Sequence, residues 1–173
     1  MPRLFSWKVI LYLLFAFMLD VSVMPVLWPG DARPVFLYLA VLYSAFEWNW
    51  FKTVRIALAV GLLRDLTGTQ PLGLETIVLV SVSFLTGYIT RKIEKKSLSG
   101  RAVISGIYTA SVLIFTFLFA VFIGSSYPFS GRVVAIAVSA GFWNGILAPV
   151  FFIFSHRWFL GRLPNLRQYE LFR

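Results

Sequence analysis

The chain contains no cysteine, which excludes disulfides, thiolate metal sites, iron–sulfur clusters and cysteine nucleophiles. It contains one histidine, His156, beside Arg157 where the last apolar run stops. A His-based triad needs its base between a nucleophile and an orienting carboxylate, and a multi-histidine metal site needs partners that this sequence does not have. His156 is therefore read as an interfacial residue. No Gly-rich phosphate motif of the GxGxxG or GxxxxGKS type is present. The usual routes to an enzyme are nearly closed, and no cofactor or metal is expected.

Charge is also scarce. Only 13% of the 173 residues are charged, against about 25% in globular proteins, while 59% are apolar against about 45–50%. A domain of about 150 residues buries only about 70% of its surface, so a soluble monomer could not hide this many apolar side chains. A disordered chain needs low hydrophobicity and is excluded too. The bilayer is the remaining solvent. The formal charge of +9 would suggest nucleic acid in a soluble protein, so its meaning depends on where the charges sit.

Six apolar segments are read, at about 9–27, 35–50, 54–66, 72–89, 102–124 and 133–155. They make a single transmembrane domain over residues 1–173: an all-α integral membrane protein built as a six-transmembrane-helix bundle. The second segment is apolar over Val35–Phe46 and runs on into Glu47-Trp48-Asn49-Trp50; it and the third are short for a hydrocarbon core of about 30 Å. Charge placement separates the topologies. With six spans and a cytoplasmic amino terminus, thirteen Lys and Arg lie inside, and only Arg33, Arg64 and Arg132 lie outside, as the positive-inside rule requires. Removing one short segment inverts everything after it and gives six inside against ten outside, so five spans are rejected. Treating both short segments as one re-entrant hairpin gives eleven against five and stands as the alternative. Both termini are expected in the cytoplasm. The amino terminus starts like a signal peptide but lacks a small-x-small cleavage site, and Asp20 and Pro25 sit where cleavage would fall, so it reads as an uncleaved span. Trp7, Trp28, Trp48, Trp50 and Trp158 fall at proposed interfaces, and Trp143 is the exception near mid-span. No internal repeat is visible between the two halves.

Few polar residues lie within the spans. Asp20, near the middle of the first, carries an insertion cost of roughly 2.5–3.5 kcal/mol. Either its helix slides outward to the headgroups, or Asp20 makes a polar contact within the bundle or with a partner subunit. No basic residue sits at the same depth unless Arg64 reaches inward, and Asn144 offers a hydrogen-bonding group. In the sixth span, Ala137, Gly141 and Gly145 recur every four residues, a spacing that lets helices approach closely in lipid. With Asp20 and Asn144 they are candidates for helix packing within the bundle or for a partner face, a second copy of the chain included. Gly106-x-x-x-Ala110 and Ser83-x-x-x-Gly87 are weaker cases of the same spacing. The basic cluster Arg91, Lys92, Lys95, Lys96 and Arg101 is read as a juxtamembrane loop that sets topology and meets anionic lipid headgroups. Nucleic acid is not an expected partner, because no folded domain is present to read it.

The most informative stretch runs from Val60 to Gly73: an apolar helix ends in Arg64-Asp65, turns through Gly68 and Pro71, and restarts at Leu72-Gly73. It is read as a tight outer hairpin in which Asp65 caps the turn or pairs with Arg64, and Gly73 permits a left-handed or close-packed backbone. Gly61, Asp65, Leu66, Leu72 and Gly73 together resemble the recurring pattern of the rod shape-determining protein MreD family. The length, six spans, basic loop and basic tail are similar to that family over nearly the whole chain. The resemblance implies a noncatalytic scaffold in the bacterial cytoplasmic (inner) membrane, acting in the cell-elongation machinery and peptidoglycan synthesis. The implied partners are MreC first, then MreB, RodA and a class B penicillin-binding transpeptidase. It also implies a bundle similar to the substrate-binding (S) subunits of energy-coupling-factor transporters, and no catalytic residue.

The alternative function is that of such a solute-binding vitamin-transporter subunit. The Ala-x-x-x-Ala docking pattern usual in the first span of those subunits is missing, since Ala16 is followed four residues later by Asp20. A polar pocket near the outer loops is also hard to assemble from the few polar residues. A membrane enzyme would need convergent acids, and Asp20, Asp65 and Glu75 are scattered in sequence.

Overall fold

The computed structural model describes residues 7–28, 30, 32–68, 71–92, 98–124 and 131–160, with backbone alone for residues 91, 92, 98 and 160. The described residues form six helices and no strand: α1 (Trp7–Leu27), α2 (Phe36–Glu47), α3 (Trp50–Thr67), α4 (Leu74–Lys92), α5 (Leu98–Phe122) and α6 (Gly131–Leu160). Three stretches are long and apolar enough to cross a bilayer: Trp7–Leu27, Ser99–Phe122 and Gly131–Phe159. Phe36–Glu47 and Leu74–Thr90 are shorter apolar helices.

The short second segment is the centre of the molecule. Ten of the twelve residues of α2 are buried, as expected of a helix that is apolar on every side. All five other helices touch it. Its length, about 18 Å at 1.5 Å per residue, falls short of the hydrocarbon thickness, and its amino end at Val35 is buried while its carboxyl end at Glu47 is exposed. Trp50 belongs to the next helix rather than to this segment. Glu47 ends α2, and the Asn49 side chain accepts from the Trp50 N–H at 2.9 Å to start α3. That cap lengthens the third segment to 18 residues, four of them charged.

α1 contains a π-helical turn at Leu19–Val23, just before Pro25. Pro25 has no N–H, and its ring crowds the carbonyl four residues back, Val21, within the turn. The wider turn absorbs both problems and carries Asp20. α5 and α6 form the most extensive helix pair, and α3 with α4 the next. Small residues let both pairs close. A Cβ added to Gly141 would lie 2.6 Å from the Gly106 carbonyl oxygen, and one on Gly61 would lie 2.5 Å from the Thr76 Cα. The backbone of Gly73 has φ +90°, a conformation that favours glycine, where the hairpin enters α4.

At the end of the bundle that holds the α2–α3 turn, Tyr43, Trp48 and Phe159 form an aromatic cluster, with the Tyr43 and Phe159 rings stacked at 6.0 Å. Trp143, out of place as an interfacial residue, packs edge-on against Trp28 at 4.7 Å. Large apolar side chains cover the outside, among them Met18, Leu62, Ile107, Phe119 and Phe142.

Two glycines separate close packing from mere helix composition. In thermal unfolding of the detergent-purified protein, Gly141→Ala is expected to cost about 1–3 kcal/mol through overpacking. Gly87→Ala, whose Cβ would meet no atom within 4 Å, is expected to be neutral or to stabilise by up to about 1 kcal/mol.

Candidate functional site

A buried helix end must find acceptors for its first N–H groups inside the protein, because hydrocarbon offers none. The N-cap position of α2 is Val35, whose side chain has no acceptor. The acceptors come from other helices. Asp20 of α1 takes the Phe36 N–H on Oδ1 at 2.6 Å and the Leu37 N–H on Oδ2 at 2.9 Å. Asn144 of α6 takes the Val35 N–H at 3.0 Å and donates back to the Val35 carbonyl at 3.2 Å and to Thr109 of α5 at 2.7 Å. A carboxylate at a helix N-terminus also meets the positive end of the helix dipole. Of the two readings of Asp20, the structure has the polar contact within the bundle.

The other end of α2 carries an ion pair. Arg101 lies in the first turns of α5, buried, and its guanidinium meets Glu47 at 3.0 Å and lies 5.2 Å from the Phe46 ring centroid. It is thus part of the bundle rather than of a solvated basic loop. Lys95 and Lys96 lie outside the described residues, as do the side chains of Arg91 and Lys92.

The same capping device recurs at the hairpin between α3 and α4. Asp65 accepts from the Glu75 N–H at 3.0 Å and the Thr76 N–H at 3.2 Å, and also from the Thr76 hydroxyl. Each aspartate, carried on the preceding helix, caps the next helix with both oxygens across a proline-containing connection. A repeat search sees nothing here, because the shared element is one carboxylate and a pair of backbone amides. Arg64 does not pair with Asp65. Its Nε donates to Glu75 at 2.8 Å, its guanidinium carbon stands 5.3 Å from the Tyr38 ring centroid, and the Tyr38 hydroxyl donates to the same Glu75 oxygen. Glu75 and Tyr38 had no signal in the sequence that joined them, since 37 residues separate them.

These groups converge at one end of the bundle beside a cavity of about 440 Å³ lined by Phe17, Asp20, Arg33, Leu37, Arg64 and Thr67 among others. A polar pocket is expected to be hard to assemble from so few polar residues, and the fold assembles one. Residues far apart in sequence meet because α1 and α3 both rest on α2.

The small-residue positions are occupied by intramolecular contacts. Ala137 and Asn144 are fully buried, and Gly141 and Gly145 face Gly106 and Ala102 of α5. Outside that contact, α5 and α6 leave an apolar groove of about 560 Å³ walled by Val103, Ile107, Val138, Phe142 and Ile146.

A family model described as rod shape-determining protein MreD matches residues 1–158. The chain belongs to the MreD family. No curated protein and no solved structure gives a significant match. As a member of the MreD family it is a rod shape-determining, non-enzymatic membrane protein. Of the five motif positions that resemble the MreD pattern, Gly61 admits the α3–α4 contact, Asp65 caps α4 and Gly73 makes the turn. Leu66 and Leu72 do neither, being 75% and 77% exposed.

The caps have a measurable signature. Asp65→Ala is expected to lower stability by about 2 kcal/mol or more and to speed hydrogen exchange at Glu75 and Thr76. Asp65→Asn, which keeps one acceptor oxygen, should cost less, and equal costs would contradict capping.

Proposed function

We propose that this protein is a noncatalytic scaffold of the bacterial cell-elongation complex, maintaining rod shape and lateral peptidoglycan synthesis by binding MreC and associated cell-wall synthases. In this reading all six helices lie across the cytoplasmic (inner) membrane with both termini inside, in a topology similar to that of energy-coupling-factor S subunits. MreB, RodA and a class B penicillin-binding transpeptidase form the wider complex.

The observation that carries the reading is the division of labour between interior and surface. The buried carboxylates are held by fixed donors within the bundle, and the lateral faces are apolar. Fixed donors suit a rigid platform, and apolar faces suit docking to membrane helices. The α5–α6 groove, with small residues at its floor, is the face assigned to the MreC membrane helix. The cavity beside Asp20 favours a second reading, solute capture by a vitamin-transporter subunit, on the strength of its two arginines.

Affinity purification from the native cell in mild detergent tests both. MreC and synthases should co-purify; an ATPase pair with a coupling subunit would favour the transporter instead. Val138→Trp, which fills the groove, should reduce MreC recovery severalfold, while Leu58→Trp on the exposed face of α3 should leave it unchanged.

A further inference from the structure

The cavity between α1 and α3 has a chemistry that scaffolding does not use. Its two wall helices both rest on α2 and pack scarcely against each other, so a cleft runs between them. Its lining is apolar at Phe17, Val21 and Leu37 and polar at Asp20, Arg33, Arg64 and Thr67. The acidic groups are already engaged. Asp20 has both oxygens on the amide groups that start α2, and Glu75 is held by Arg64 and Tyr38. Arg33 is half-buried and has no hydrogen bond or ion pair among the described residues. A half-buried guanidinium beside apolar walls gains from one anionic oxygen group, and a planar fork of N–H donors matches phosphate.

We propose that this cavity binds the phosphate of an anionic phospholipid. Arg33 and the outer edge of the Arg64 guanidinium face the phosphate, Thr67 offers a hydroxyl, and an acyl chain lies along Phe17 and Val21 in the cleft. Arg33, whose charge meets the Asp20 carboxylate only through space, keeps its N–H donors open to a phosphodiester, and the joint polar and apolar lining matches an amphiphile better than a free ion.

The test is native mass spectrometry and thermal unfolding of the full chain in detergent with added phosphatidylglycerol, phosphatidylcholine or inorganic phosphate. The wild type should retain phosphatidylglycerol roughly fivefold over phosphatidylcholine, as one added charge contact implies. Arg33→Gln should bring that ratio to about one, and Arg55→Gln, at the other end of α3, should leave it unchanged. Val21→Trp, which fills the cleft and keeps both arginines, should also abolish phosphatidylglycerol retention. The proposal is overturned if Arg33→Gln keeps the preference, or if the wild type shows none. It is overturned equally if inorganic phosphate stabilises the wild type as much as the lipid does, which would make this a free-anion site. A crosslink from position 67 to a partner polypeptide, with no lipid retained, would assign the cavity to protein docking.

Discussion

A twelve-residue helix enclosed by five others is the constraint on which this bundle depends. Its side chains are largely apolar and bury easily, but its amino end, at buried Val35, is shut off from water. That end therefore demands polar side chains from elsewhere in the fold. The amino end takes the Asp20 carboxylate and the Asn144 amide; the carboxyl end, with its partial negative charge, has the Arg101–Glu47 pair beside it. An aspartate within the first helix, costly on its own, is accommodated because the central helix cannot serve its own buried amino end, and Arg101 is accommodated by its ion pair with Glu47.

The same requirement explains why polar groups gather at one end of the molecule. The α3–α4 hairpin repeats the device with Asp65, and the helix it caps begins with Glu75, which holds Arg64 against Tyr38. A cavity with cationic lining then follows from geometry, since α1 and α3 lean on α2 from separate positions and leave space between them. The α5–α6 pair, beyond the Asn144–Thr109 bond, is closed by backbone contact at Gly106 and Gly141. One molecule thus offers a polar-ended cleft and an apolar groove on different faces. That is a natural division for a membrane protein with more than one neighbour.

Composition and pattern already determined a great deal: the bilayer as solvent, an all-helical chain, the positions of six apolar segments, and the stretch from Gly61 to Gly73 through which the family could be recognised. These are local properties, set by hydrophobic run length, by turn chemistry at Gly68, Pro71 and Gly73, and by the scarcity of charge. The helix ends moved where capping outweighed hydropathy, as at Asn49, which starts a helix within the polar tail of the second segment. Only the tertiary structure decided what the rare polar residues do. Asp20 reaches across 16 residues, Glu75 across 37 and Asn144 across 109 to find their partners, and no spacing rule connects positions that far apart. The physical reason is that backbone amides carry two of these three bonds. An amide is present at every non-proline residue and leaves no mark in the sequence, so which one is left without a partner depends on where a helix stops inside the folded bundle.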